Sequence, residues 1–310
     1  MSALICGSMA YDTIMVFHDK FKNHILPEKV HILNVSFLVP VMRREYGGCA
    51  GNIAFNLNLL GEEALAMAVV GHDFEPYSQW MSQNSLSSEF IYIMDNNYTG
   101  QAYITTDEDG NQITAFHPGA MSFSHINSIP TDRDICIGIV SPDGKEGMQL
   151  HAEQFVELEI PFIFDPGQGM PMFNGAELLT FIDQATWMTL NDYESELMQE
   201  RTGLTLEQMA ERLEALIITL GGKGSKIYTK GECIIIPPAK PKALFDPTGC
   251  GDAYRAGLLY GLMNDLDWDT TGRIASLMGA IKIEHHGTQN HSLDMDEFKQ
   301  RYHENFGCSF

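Results

Sequence analysis

The sequence predicts an α/β fold in which a mostly parallel sheet is covered by helices on both faces. From residue 134 onward, short apolar runs alternate regularly with segments of helical periodicity. Such alternation is typical of βαβ units, whose helices lie on the faces of a parallel sheet. The chain has 310 residues, 44% of them hydrophobic, so it can bury a large core. We predict a single domain, residues 1–310, with a small appendage.

The first part of the chain combines core elements with segments that are predicted to be exposed. Residues 2–8 form a short apolar run that predicts a buried strand. Residues 14–44 mix aromatic and β-branched residues with two prolines and show no helical stripe, which indicates exposed strands and loops. Helices are predicted at 52–60 and 74–84, strands at 64–71, 89–94, 100–106 and 112–116, and a hairpin turn at 107–111.

The second part of the chain carries the regular alternation. Strands are predicted at 135–140, 161–164, 187–190, 216–220 and 226–228. Helices are predicted around 146–158, 174–184, 192–201, 205–213, 252–264 and 270–286.

The charge of the chain excludes some classes of partner. Its 41 acidic residues exceed its 19 basic residues, which gives a net charge of −22. Nucleic acids and anionic membranes need basic surfaces, so we expect neither as a partner. The six cysteines show no metal-binding spacing and are expected to be reduced thiols of a cytoplasmic protein. We see no basic leader and no apolar run long enough to span a membrane.

The segment 246–257, DPTGCGDAYRAG, carries the strongest chemical signal. Gly249, Cys250 and Gly251 are small residues at the start of a predicted helix, where unpaired backbone N–H groups and the helix dipole attract an anion. Asp252 places a carboxylate beside this anion site. A base that takes a proton from a hydroxyl while its oxygen attacks a phosphoryl group would suit that position. The alternative is a glycine-rich loop in which Asp252 only caps the helix.

This segment resembles the C-terminal signature of the ribokinase-like (PfkB) carbohydrate and nucleoside kinases, D-x-T-G-A-G-D-x-x-x-A-G. Cys250 is the one departure, since the family usually has alanine there. Far upstream, 47–52 and then Gly61 resemble the N-terminal signature G-G-x-x-x-N of the same family. The resemblance implies a three-layer α/β/α sandwich with a mostly parallel central sheet. It also implies a small β-sheet lid, here expected from two excursions at about 13–45 and 90–118.

The resemblance implies a substrate side and a catalytic side. Asp252 would be the general base, with the backbone of 249–252 as the anion hole. Asp12, just past the first strand, would accept hydrogen bonds from sugar hydroxyls, Gly48 would bring the backbone close to the sugar, and Asn52 would add a polar side chain. The alternatives are a turn residue for Asp12 and a helix N-cap for Asn52.

A nucleotide side is implied as well. Asn191 and Glu194 resemble the family's N-x-x-E motif, in which Glu194 would hold Mg²⁺ through water. The alternative is a helix start with an acidic first turn. The segment 219–224 resembles the ATP loop T-x-G-x-x-G, and a hairpin turn is its alternative. The implied nucleotide-binding residues of this loop are Thr219, Gly221, Gly222 and Gly224.

Potassium is a second cation that the resemblance implies. Family members often bind K⁺ beside the anion hole, through the loop that here contains Asp246 and Thr248. Pro247 in that loop leaves the dependence on K⁺ open, and we expect at most modest activation by this ion.

We expect an ATP-dependent kinase that phosphorylates the 5′-hydroxyl of a ribonucleoside, resembling adenosine and broad-specificity nucleoside kinases. The segment 165–169, DPGQG, with Gln168 in it, stands where many sugar kinases have D-x-N-x-R, so their arginine is missing. Phe17 and the segment 116–121 offer surface on which a base could stack. A ribokinase- or fructokinase-type sugar kinase remains the main alternative.

Two further expectations concern the thiol and the lid. A thiol at a helix start can have a lowered pKa, so a Cys250-dependent enzyme of a different class is a remote alternative.

In related kinases two lids clasp each other, and exposed strands near the site would otherwise leave unpaired edges. We therefore predict a homodimer formed through the lid.

Overall fold

Thirteen strands and nine helices make up the computed structural model, which describes residues 1–25, 32, 34–109 and 111–310. The strands are β1 (Ser2–Cys6), β2 (Ala10–Val16), β3 (Val41–Gly47), β4 (Ala64–Gly71), β5 (Ser87–Met94), β6 (Gly100–Thr106), β7 (Gln112–His117), β8 (Ile135–Val140), β9 (Phe162–Phe164), β10 (Trp187–Asn191), β11 (Ala215–Thr219), β12 (Ser225–Thr229) and β13 (Glu232–Ile236). The helices are α1 (Cys49–Leu59), α2 (Glu75–Gln83), α3 (Lys145–Glu157), α4 (Gly175–Gln184), α5 (Asp192–Thr202), α6 (Leu206–Ala210), α7 (Cys250–Met263), α8 (Trp268–Lys282) and α9 (Met295–Phe306).

The larger sheet has the order β13-β12-β11-β10-β9-β8-β1-β4-β5. The strands from β11 to β5 in this order pair in parallel, and only β12 and β13 are antiparallel. From β1 the chain first builds outward to β4 and β5, then returns to β8 and builds in the opposite direction. The carboxyl ends of β1 and β8 therefore flank a topological switch point, where open α/β sheets bind their ligands.

Helices cover both faces of this sheet, as the sequence predicts. Along β1, Ala3 and Ile5 pack into one core with residues of α1, α2, α7 and α8, whereas Leu4 packs into a second core with residues of α3 to α6. This alternation follows from the two-residue period of a strand. All residues of β4 are buried, which explains its unbroken apolar run. Within the described ranges, no helix is long and apolar enough to cross a membrane.

A separate four-stranded sheet, with the order β3-β2-β6-β7, forms the lid. Its strands come from the two predicted excursions, but the second excursion begins later than expected. Residues 90–94 belong to β5, which pairs in parallel with β4 at the edge of the large sheet. The exposed, alternating pattern of β5 arises because it is an edge strand, and local sequence cannot distinguish that position from a lid.

Other differences between the predicted and observed elements are small. The strand β13 and the helix α9 were not predicted. A two-residue hairpin turn, in which Lys230 and Gly231 have positive φ, connects β12 to β13. Of the predicted lid and its hairpin turn, residues 26–31, 33 and 110 lie outside the described residues. In that turn, Asp107 Oδ1 accepts hydrogen bonds from the backbone N of Asp109 and of Asn111.

Helix α7, which begins within the signature segment, packs closely against α8. A Cβ atom on Gly257 would lie 2.5 Å from the Cα of Ala275, so glycine is required at this crossing. The close contact fixes the start of α7 and the end of α8 relative to each other. Both ends carry residues of the site described next.

Candidate active site

The start of α7 has the geometry of an anion site. Its N-cap, Gly249, has a φ of 79°, and a Cβ there would lie 3.0 Å from Thr288, so a small residue is needed. The first intrahelical hydrogen bond runs from the N of Ala253 to the O of Gly249 at 3.0 Å. The backbone N–H groups of Gly251 and Asp252 precede it and are positioned to bind a negatively charged ligand.

The Asp252 carboxylate is anchored by a side chain from the opposite end of the chain. The Nδ2 of Asn52, within α1, donates to Oδ2 of Asp252 at 2.7 Å. The Oδ1 of Asn52 accepts from Nε2 of Gln289 at 2.9 Å, and that nitrogen also bonds Tyr77 at 2.6 Å. Asn52 is 4% exposed and lies inside α1, so it is not the N-cap of that helix. Its contacts indicate that it orients Asp252.

Two half-buried carboxylates, Asp12 and Asp252, lie near enough to influence each other's ionisation. Burial raises the pKa of Asp252 to about 6, while the hydrogen bond from Asn52 and the charge of Arg255 oppose that rise. Burial also raises the pKa of Asp12 to about 6, and the negative charge of Asp252 adds to the increase. Both groups are therefore mostly ionised at neutral pH yet close to their titration range, a typical property of acid–base sites.

Asp12 lies on β2, where the lid joins the large sheet. In the lid register it is opposite Glu45, and its Oδ2 occupies the space where Gly47 would carry a Cβ, 2.5 Å away. The next residue, Gly48, has a φ of 88°, and a Cβ there would lie 2.5 Å from the O of Ser8. Glycines at both positions therefore allow the backbone and the Asp12 carboxylate to share a narrow space.

Asn191 and Glu194 form a reciprocal capping box at the start of α5. The Oδ1 of Asn191 accepts from the N of Glu194 at 2.7 Å, and Oε2 of Glu194 accepts from the N of Asn191 at 2.8 Å. The local geometry is thus the acidic helix start that was weighed as the alternative. Glu194 follows β10, the parallel neighbour of β9, so it lies at the same edge of the sheet as Asp165. Burial and the nearby charge of Asp165 raise the pKa of Glu194 above its ordinary value.

The glycine-rich segment after β11 is an open turn that leads into β12. Leu220 N donates to Gly224 O at 2.8 Å, and the two strands are antiparallel, so the segment is a hairpin connection. A Cβ on Gly221 or Gly222 would meet no atom within 4 Å, which leaves the backbone open to a ligand. At the end of β11, Thr219 Oγ1 donates to Leu190 O at 3.4 Å.

Two predicted substrate residues, Phe17 and Gln168, make no contact with the residues around Asp252 and Asp12 in the part of the chain that the structure describes. Phe17 is 6% exposed because its ring packs in the lid against Phe21, Phe37 and His24. Little of that ring is left for a base. Gln168 is exposed in a short 3-10 helix at Gly167–Met172.

The environment of Cys250 contradicts the thiol-dependent alternative. Burial raises the pKa of Cys250 to about 11, although the positive charge of Lys282 opposes the increase. A thiol with this pKa is almost entirely protonated at neutral pH, whereas the thiolate is the nucleophile. The prediction of a lowered pKa was wrong because the half-buried side chain loses more hydration than the helix start compensates.

Known proteins resemble this chain over nearly its whole length. The family model described as pfkB family carbohydrate kinase matches residues 11–295. The chain belongs to the pfkB family. A nucleoside kinase of Methanocaldococcus jannaschii is 31% identical over 276 residues, covering 88% of this chain and 91% of the relative. The structure of Burkholderia thailandensis nucleoside kinase in complex with inosine is 48% identical, covers 99% of both chains and has a TM-score of 0.91.

One feature of this pfkB protein was missed by the sequence analysis: a buried ion pair behind Asp252. Arg255, one turn along α7, donates from Nε and Nη2 to the two carboxylate oxygens of Asp165, both at 2.8 Å. It also donates to the O of Gly251 at 3.3 Å. Asp165 follows β9 in the segment that lacks the sugar-kinase arginine, and the guanidinium that pairs with it comes from α7. The only signal in the sequence was an arginine among small and apolar residues.

We expect Arg255→Met to lower the free energy of unfolding by about 3 to 5 kcal/mol, because it leaves the Asp165 carboxylate buried without a partner. Urea unfolding measures the loss. A matched control is Arg212→Met, which removes an exposed ion pair with Asp183 at 3.0 Å and should cost about 1 kcal/mol or less. Equal losses for the two variants would show that the buried pair has no special importance.

Proposed function

We propose that this chain is an ATP-dependent nucleoside kinase that phosphorylates the 5′-hydroxyl of a ribonucleoside. The observation that carries the proposal is the carboxylate of Asp252, fixed by Asn52 beside unpaired N–H groups at the start of α7. The Burkholderia relative binds inosine, and a second structure of that enzyme is described as a complex with ADP-inosine. Its 48% identity over nearly the whole chain supports the same substrate class here.

In this mechanism Asp252 is the general base. With a pKa of about 6 it is ionised at neutral pH and can accept the hydroxyl proton. The hydroxyl oxygen forms a bond to the γ-phosphorus as the bond between that phosphorus and the bridging oxygen breaks, which releases ADP. The N–H groups of Gly251 and Asp252 stabilise the negative charge on the transferring group.

The substrate side consists of Asp12 and the backbone at Gly48. An ionised carboxylate can accept hydrogen bonds from both hydroxyls of a ribose, and Asp12 lies within electrostatic reach of Asp252. Asn52, predicted as a sugar ligand, is instead proposed to position the base, because both of its polar atoms are already bonded to protein groups.

The nucleotide side consists of the 219–224 turn and the start of α5. We propose that the open backbone at Gly221 and Gly222 contacts ATP, with Thr219 and Gly224 at the two ends of the turn. Asn191, the N-cap of α5, would lie on the same nucleotide side. The capping box uses one carboxylate oxygen of Glu194, so the other can accept from a water of hydrated Mg²⁺. When bound, the ion would neutralise phosphate charge.

The activity test follows ATP consumption with adenosine, inosine, cytidine, ribose and fructose. We expect turnover with at least one nucleoside and a much lower kcat/KM with the free sugars. Asp252→Asn should keep ATP affinity but reduce kcat by about two to four orders of magnitude, since it removes the base and keeps the shape. Asp296→Asn, which also changes an aspartate in the first turn of a helix, is the matched control and should leave kcat unchanged.

Asp12→Asn should act differently, because it weakens a contact that is made before the transition state. It should raise KM for the nucleoside more than it lowers kcat. Turnover by folded Asp252→Asn within about tenfold of wild type would refute the mechanism. Preference for ribose or fructose over every nucleoside would favour the sugar-kinase alternative.

The pH dependence follows from the raised pKa values. The base must be deprotonated, so kcat/KM should rise with pH through about 6 and then level off. Removing the negative charge of Asp12 makes ionisation of Asp252 easier, so Asp12→Asn should move this rise to lower pH. A profile that is flat from about pH 5 to 8 for wild type would contradict the assignment of the base.

We further propose that two lids pair to form a homodimer. All residues of β7, an edge strand of the lid, are exposed, and Ile113 and Phe116 are 43% and 51% exposed. Light scattering should give about twice the chain mass of 34.6 kDa. Ile113→Lys should produce monomers, whereas Ile235→Lys, which changes an exposed isoleucine on edge strand β13, should not. A wild-type mass of 34.6 kDa would exclude the dimer.

A further inference from the structure

A lysine ammonium is fully buried behind the anion site. Lys282 is the last residue of α8, and its exposure is 0%. Its Nζ donates to the backbone O of Asp246 at 2.8 Å and to the backbone O of His285 at 3.2 Å. Lysine is almost never fully buried unless its charge is compensated. Here the carbonyl end of α8 and two loop carbonyls provide that compensation.

The surroundings of this ammonium are negatively charged. The Asp246 carboxylate is fixed by the backbone N of Thr248 and of Gly287, each at 3.0 Å, and Arg43 of the lid approaches it to 3.7 Å. Although burial favours the neutral acid, those hydrogen bonds and the charge of Lys282 keep the pKa of Asp246 below its ordinary value. Burial lowers the pKa of Lys282, and the charge of Asp246 opposes this.

Lys282 connects two segments whose relative position shapes the anion site. One is the loop 246–249, which ends at the N-cap of α7, and the other is the turn after α8 that contains His285 and Gly287. A bond from one ammonium to a carbonyl of each segment holds them together. Its positive charge also lies near Cys250 and Asp252, behind the N–H groups that face the phosphate.

Backbone carbonyls that converge beside a carboxylate are a typical ligand set for a potassium ion. The potassium position that the family resemblance implies includes Asp246, and the carbonyl of this residue is already bonded to an ammonium. A second cation on the same oxygen would be repelled by the first. The residues present therefore do not fit a bound potassium ion.

We propose that the side chain of Lys282 takes the place of a bound monovalent cation, so that this enzyme carries its own cation and needs no potassium. Lys282 is thus a positioning residue: it shapes the anion site and contacts neither substrate. The effect on activity rests on the proposed kinase function, but the effect on the loop does not.

The test compares wild type with Lys282→Met, which keeps the length of the stem and removes the charge. Activity and Tm are measured in choline chloride and in KCl or NH₄Cl at equal ionic strength. For wild type we expect kcat to change by less than about twofold. In choline chloride, the kcat of Lys282→Met should be about tenfold or more below that of wild type. In KCl or NH₄Cl, the variant should regain activity. Its Tm should rise by several degrees with the same salts, as for a bound ligand.

Lys299→Met, which changes an exposed lysine of α9, is the control and should show no selective response to these cations. A requirement of the wild-type enzyme for K⁺ would overturn the proposal. This comparison of wild-type activity with and without K⁺ tests the proposal even if Lys282→Met does not fold. A folded Lys282→Met with no cation response in Tm or activity would overturn it as well. Because Tm needs no nucleoside, a missing kinase activity would refute the proposed function and leave the cation test intact.

Discussion

The ion pair between Arg255 and Asp165 connects the start of α7 to the end of β9, and the position of Asp252 depends on this connection. Asp252 is one turn before Arg255, so the bidentate contact at 2.8 Å fixes the rotation of the helix start as well as its distance from the sheet. A guanidinium buried this deeply requires a well-aligned carboxylate. That requirement leaves both oxygens of Asp165 occupied by Arg255, whereas Asp252 is bonded by the Asn52 amide.

The same edge of the sheet collects several carboxylates in a chain that already has a net charge of −22. Burial and mutual repulsion raise the pKa values of Asp12, Asp252 and Glu194, so unbalanced charge would protonate them and disable a base. The buried guanidinium of Arg255 on α7 limits this effect at Asp252 and Glu194. Lys282 of α8 is a second buried cation near Asp252, and the glycine crossing packs its helix tightly against α7.

The fold and the anion-site geometry around Asp252 could be predicted from the sequence because both are encoded locally. Alternating apolar runs mark the parallel strands, and the glycines around Asp252 mark a helix start that binds anions. The sequence-based prediction failed where function depends on distant pairing. The edge position of β5 is set by its partner β4, and the role of Asn52 by Asp252, 200 residues away. Arg255 and Lys282 resemble ordinary helix residues until their partners are known.

The lid and the anion site are mechanically linked through β3. The backbone O of Tyr46 accepts from Thr288 Oγ1 at 2.6 Å, and Glu45 Oε2 accepts from Asn290 Nδ2 at 2.8 Å. The same C-terminal turn donates Gly287 N to the Asp246 carboxylate, so β3 and the anion-site loop share one support. Asp12 is paired with β3 in the lid. The lid and the loop before α7 are therefore joined by one continuous set of hydrogen bonds through the C-terminal turn.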